Sequence, residues 1–214
     1  MILFDTQKIE IFFKNAHNNH SISEDRKVLI IKIAEKIFAI EKGDFTNTRL
    51  NFICTHNSRR SQFAQVWAYY AAHYFNLPIT ALSGGTAVTA FYKNTISALQ
   101  EVGFGFRVLH FDHQNPTYAI NFDSTTSALL GFSKLYDNPI NKDPFYAITT
   151  CGDADVNCPY IPEAKERFHL GFVDPKAFDH TEKCKEAYLN TSTIIAAELY
   201  LLFETLKNLQ KKTA

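Results

Sequence analysis

Leu50-Asn-Phe-Ile-Cys54-Thr-His-Asn-Ser-Arg-Arg60-Ser61-Gln-Phe-Ala-Gln-Val-Trp67 is the stretch that decides the fold. Its first five residues form a short apolar run that reads as a buried strand. After a polar loop, Phe63, Val66, Trp67, Tyr70, Ala71 and Tyr74 recur at helical spacing. A helix N-terminus offers unpaired amide hydrogens and the positive end of the helix dipole. A loop curling into it can ring a tetrahedral anion with backbone donors, and the same field favours a thiolate at Cys54. Arg60 can return across the ring and hold two oxygens with its planar fork. Ser61 can donate to the sulfur, and Asn57 can brace the loop by bonding its own backbone. Thr55, His56, Asn57, Ser58, Arg59 and Arg60 are therefore the expected oxyanion-binding residues, with Cys54 as nucleophile.

Outward from this stretch the chain alternates. Ile79–Ser83 reads as a strand and Gly84-Gly85 as a turn. A helix follows through Ile96, Leu99 and Val102 to Gly103. Val108–Phe111 and Phe145–Thr150 read as strands, and Ile194, Ile195, Leu199, Leu202 and Leu206 mark a long closing helix. Strands alternating with helices predict an α/β domain, a mainly parallel sheet with helices on both faces. Residues 115–143 break the alternation. Pro116 and Pro139 bracket two short runs, Tyr118–Phe122 and Leu129–Phe132, which read as a hairpin inserted at a sheet edge. Upstream, Asp5 or Thr6 caps a helix carrying Ile9, Phe12 and Phe13. Ser21 with Glu24 forms a capping-box pattern before a second, with Leu29, Ile33 and Ile37. Residues 1–45 are thus expected to be a helical extension on an α/β domain of residues 46–214.

The 22 basic and 22 acidic residues balance, so no global field favours nucleic acid or an anionic membrane. Met1-Ile-Leu-Phe-Asp5 lacks the basic start and apolar core of an export signal, and Lys32, Glu35 and Lys36 interrupt the apolar stretch Val28–Ile40. A reducing cytoplasm is the expected location, where the four cysteines are catalytic, redox-active or buried and do not form static disulfides.

Two of those cysteines lie in Thr150-Cys-Gly-Asp-Ala-Asp-Val-Asn-Cys158-Pro159. In a regular helix Cys151 and Cys158 would be roughly 10 Å apart, too far to bridge. Gly152 and Pro159 suit a disulfide that forms only when the segment unwinds. Two structural thiols, or a zinc pair, are the alternatives. A lone pair at this spacing is a poor zinc pattern, and no bound metal or cofactor is expected.

Cys54-x5-Arg60-Ser61 directly after a strand resembles the low-molecular-weight protein tyrosine phosphatase superfamily. Ser61-Gln-Phe-Ala-Gln-Val-Trp67 and the Cys151–Cys158 segment resemble its thioredoxin-coupled arsenate reductases. The resemblance covers roughly Arg49 to the C-terminus outside the insertion. It implies an arsenate reductase in which Cys54 attacks arsenate and Cys151 and Cys158 relay a disulfide to thioredoxin, the external reductant. Hydrolysis of phosphomonoesters through a phosphocysteine is the alternative, and an oxyanion-binding module without turnover is a third. The resemblance also places a general acid at Asp174, in Phe172-Val-Asp-Pro175. Lys176-Ala-Phe178 lacks the tyrosine with which relatives stack an aromatic substrate. Some relatives hold a potassium ion beside the loop. Asn57 and Ser83 match two of its ligands, but Gln65 stands where a glutamate would be, so no ion is expected. Cys184 carries no expected role.

Overall fold

The computed structural model describes residues 3–152 and 161–213. Four strands form a wholly parallel sheet: β1 (Thr48–Cys54), β2 (Ile79–Gly85), β6 (Phe145–Thr149) and β7 (Ala164–His169), in the order β2-β1-β6-β7. Helices flank it, and the α/β class is the one expected. The residues of β1 and β6 are almost continuously buried, as parallel strands covered on both sides require. Leu50, Phe52, Tyr146 and Ile148 face the main core, while Ile53, Phe145 and Ala147 face a smaller cluster with Ile161. From β1 the chain leaves to β2 on one side, and β6 takes the other. The C-terminal end of β1 is therefore a topological switch point, the usual ligand crevice of such sheets. Cys54 stands at that end.

The helix after β1, α3 (Arg60–Tyr74), is buried along most of its length because the sheet, the last helix, α5 (Cys184–Thr213), and the aromatic side chains of the first helix cover it. Trp67 is fully buried, and its Nε1 donates to Ser192 Oγ on α5 at 2.9 Å. The first helix, α1 (Thr6–Asn19), is capped by Asp5, whose carboxylate accepts from Lys8 N at 2.9 Å. Phe12 and Phe13 stack on Trp67 with ring centroids 5.4 and 5.5 Å away, and Phe13 also meets Tyr70, Tyr74 and Tyr200. Phe13→Ala is accordingly expected to lower unfolding free energy by about 3 kcal/mol in urea titration. The second helix, α2 (Glu24–Glu41), starts at Ser23 without a side-chain cap bond, so the Ser21/Glu24 box does not form; its inner face packs on α5.

Gly103 closes α4 (Lys93–Glu101) at φ +117°, a conformation that disfavours side chains. A Cβ there would also lie 2.7 Å from Asp5 O, where the N-terminal segment docks by Asp5 N donating to Gly103 O.

Two strand assignments change. The run at Val108–Phe111 belongs to β3 (Gly105–His110), which does not join the parallel sheet. It pairs antiparallel with β4 (Thr117–Asn121), and β4 with β5 (Leu129–Gly131), so the inserted hairpin completes a separate three-stranded sheet. Gly84 and Gly85 are the last residues of β2 and not a turn. No helix among the described residues is long and apolar enough to cross a membrane.

Candidate active site

Between β1 and α3, residues 55–59 form a loop whose first four carbonyls are held by groups beyond it. Thr55 O accepts from Thr86 N and Ala87 N, and His56 O from Ser133 Oγ and Thr89 Oγ1. Asn57 O accepts from Gln62 Nε2, and Ser58 O from Tyr92 N. The described chain has no cis peptide. In a planar trans peptide, each N–H points opposite to the preceding carbonyl. The N–H groups of His56, Asn57, Ser58 and Arg59 therefore turn inward, and among the described residues none of them donates to another group. Four successive amides without a partner among the described residues are able to cradle an anion. Gly85 permits the tight fit beneath it, since a Cβ there would lie 2.8 Å from Asn57 N.

Asn57 is the keystone. It is fully buried at φ +46°, a region that asparagine tolerates better than most residues. Its Oδ1 accepts from Lys134 N at 2.9 Å and from Gln62 Nε2 at 3.2 Å, and its Nδ2 donates to Ser61 Oγ at 2.9 Å. Because Ser61 Oγ already accepts there, its own hydrogen is available for Cys54 Sγ, 3.1 Å away. Cys54 is buried.

Arg60 reaches across to the turn at residues 172–174. Its Nη2 donates to Asp174 Oδ2 at 2.7 Å and its Nη1 to Phe172 O at 3.2 Å. Its Nε is buried without a partner among the described residues, leaving one edge of the fork for a further acceptor. Asp174 also caps the short 3-10 turn Pro175–Phe178 through Lys176 N. Main-chain bonds from Leu170 N to Thr149 O and from Phe172 N to Thr150 O bring this segment alongside the end of β6.

Cys151 follows β6 and is buried in the same small cluster as Cys54 and Ile53. Its Sγ lies 3.6 Å from Thr55 Oγ1, one residue beyond Cys54. Cys158 lies outside the described residues. Cys184 is the first residue of α5, where its Sγ accepts from Asn94 Nδ2. His56 is exposed on the loop.

The guanidinium of Arg59 is not among the groups gathered here. It donates to Tyr188 OH at 2.6 Å and Asp179 Oδ2 at 2.7 Å, and lies over the Tyr92 ring at 3.9 Å. Tyr188 OH donates to the other oxygen of Asp179. Burial works to raise the Asp179 carboxyl, but these partners outweigh it and hold it below the usual range. The physical reason is position: Arg59 is the N-cap of α3, and its side chain leaves toward α5. Only its backbone N–H remains with the unpartnered amides of the loop.

Sequence reasoning missed Lys134. Its buried Nζ donates to Ser83 Oγ at 3.2 Å, lies 4.7 Å from the centre of the Phe132 ring, and has no carboxylate partner among the described residues. Ser83 Oγ in turn donates to Gln65 Oε1. Burial pushes this amine down to about 7.

No protein-family model matches the chain. The arsenate reductase of Staphylococcus aureus (strain Newman) is 35% identical over 131 residues, 61% of this chain and 80% of that protein. The arsenate reductase of Bacillus subtilis (strain 168) is 31% identical over 142 residues, 66% of this chain and 84% of that one. Among solved structures, a YwlE mutant from Bacillus subtilis superposes with a TM-score of 0.52 at 16% identity, over 75% of this chain and 99% of that chain, a likeness of fold. With the strand–loop–helix geometry in place, these relatives establish that the chain belongs to the superfamily of low-molecular-weight tyrosine phosphatases and arsenate reductases.

Proposed function

We propose that the protein reduces arsenate through a thiol relay begun by Cys54. The observation that carries this reading is the burial of Cys151 in one cluster with Cys54, its sulfur against Thr55. A hydrolase has no use for a second thiol at that place. The Cys54 thiolate attacks arsenic and forms an S–As bond. One As–O bond breaks, and its oxygen leaves as water with a proton from Asp174. The loop amides and Arg60 hold the remaining oxygens. Cys151, as thiolate, attacks Cys54 Sγ. An S–S bond forms, the S–As bond breaks with both electrons left on arsenic, and arsenite departs. Cys158 then attacks Cys151 Sγ, releasing Cys54 as thiolate and leaving a Cys151–Cys158 disulfide for a thioredoxin dithiol to reduce.

The test couples the protein to thioredoxin, thioredoxin reductase and NADPH. Arsenate is expected to drive NADPH oxidation by the wild type. Cys151→Ser and Cys158→Ser should give no sustained turnover, less than about a hundredth of the wild-type rate. If arsenate drives no oxidation while all three proteins hydrolyse para-nitrophenyl phosphate, the relay is wrong and the chain is a phosphomonoesterase. A Cys54→Ala variant equal to wild type in both assays would leave only an oxyanion-binding module.

A further inference from the structure

The N-terminal helices precede the strand–loop–helix unit that carries Cys54, yet one of their side chains touches the segment carrying Asp174. Arg26, in the first turn of α2, donates from Nη2 to Gly171 O at 2.9 Å, and its guanidinium lies 5.2 Å from the centre of the Phe172 ring. It is anchored from behind by Glu198 on α5, with Nε and Nη2 each 2.8 Å from one carboxylate oxygen. Glu198 is almost wholly buried, and burial pushes its carboxyl up against the pull of Arg26. A buried pair of this kind adds little net stability, and each ion left alone would cost several kcal/mol. The fork of Arg26 nevertheless makes one bond more than pairing requires, and spends it on the backbone three residues before Asp174.

That backbone needs restraint. Phe172 O is the same group that accepts from Arg60 Nη1, and Asp174 pairs with Arg60 Nη2. The turn, Asp174 included, also lines a cavity of about 680 Å³ together with α2 and α5, and Val173 is 83% exposed. Packing therefore does not fix the turn on the cavity side, and its hydrogen bonds must.

We propose that Arg26 is a positioning residue for Asp174: through Gly171 and Phe172 it ties the N-terminal helices to the turn and holds the carboxyl over the anion cradle. The inference rests on the reading of Asp174 as the acid of a Cys54-based reaction. It gives the extension a role in catalysis without contact with substrate.

The test uses the full chain with Arg26→Met and Glu198→Gln together, so that no buried ion is stranded. Misplacing an acid should lower kcat for arsenate reduction roughly tenfold to a hundredfold, with KM changed less than about threefold. The decisive readout is the same pair of substitutions in an Asp174→Asn background. There the further loss should vanish, because the carboxyl being positioned is gone. An equal loss with and without Asp174 would show general destabilisation and overturn the inference, as would kcat unchanged by the pair of substitutions. If that variant does not fold, Arg26→Leu with Glu198→Leu removes both ions and the bond to Gly171 while filling the space with apolar side chains. It should show the same dependence on Asp174, and its absence overturns the inference equally. A wild type inactive toward arsenate and para-nitrophenyl phosphate would instead overturn the catalytic reading beneath it, a result distinct from an active wild type indifferent to Arg26.

Discussion

Cys54→Ser is expected to abolish turnover, by about four orders of magnitude or more, while leaving oxyanion binding largely intact. The two functions reside in different atoms. The proposed cradle consists of backbone N–H groups whose outward carbonyls are held by Thr86, Ala87, Thr89, Ser133, Gln62 and Tyr92, and not by the sulfur. A serine hydroxyl fits the same space and keeps the contact with Ser61, but it is far from ionised at neutral pH and cannot attack. Titration calorimetry with inorganic phosphate should thus give similar affinity for wild type and Cys54→Ser, while arsenate-dependent NADPH oxidation falls to background. Arg60→Met should do the reverse in binding, weakening phosphate by about 10- to 100-fold, because the unpartnered Nε edge of the fork is lost with its charge. Loss of phosphate binding in Cys54→Ser would show that the sulfur, and not the loop, holds the anion.

This separation also explains what could be read before any coordinates. A strand, a loop and a helix N-terminus are local, so residues 50–67 alone announce the cradle, and the apolar strands β1 and β6 declare themselves by continuous burial. β7 was illegible for the converse reason. Its sequence Ala164-Lys-Glu-Arg-Phe-His169 is half-buried with three charges, and neither alternates nor runs apolar. Val108, Leu109 and Phe111 misled because apolar residues imply a core strand, whereas here all three are exposed and pair no strand of the main sheet. Arg59 shows the limit inside the loop itself: spacing places its Cα, but the partners Asp179 and Tyr188, 120 and 129 residues later, decide where its charge goes. Arg26 and Glu198, 172 residues apart, leave no trace in any local pattern. Cys151 was legible as a redox candidate, and its neighbourhood with Cys54 follows from β6 pairing beside β1.

Lys134→Met is expected to stabilise the protein, and to do so most at and below pH 7. A lysine ammonium buried beside Ser83 and Phe132, without a carboxylate partner among the described residues, is costly to keep charged. Its amine is pushed down to about 7 in the fold from 10.5 in the open chain. Below about pH 7 both states carry the proton, and the folded state bears the full cost, on the order of 4 kcal/mol. Between about 7 and 10.5 the unfolded chain binds more proton than the folded one, so this group's penalty shrinks as pH rises and vanishes near the upper limit. Methionine fills the same channel without a charge, at the loss of one hydrogen bond to Ser83, about 1 kcal/mol. Urea unfolding should then find the variant roughly 3 kcal/mol more stable than wild type at pH 6.5, with the gap closing by pH 9.5. The backbone N of residue 134, which holds Asn57 Oδ1, is untouched by the change, so the loop should keep its shape. A gap of equal size at both pH values would mean that the amine does not titrate within the fold. A variant less stable than wild type at pH 6.5 would mean that Ser83 and the Gln65 beneath it need the ammonium, and that the buried charge is a support and not a burden.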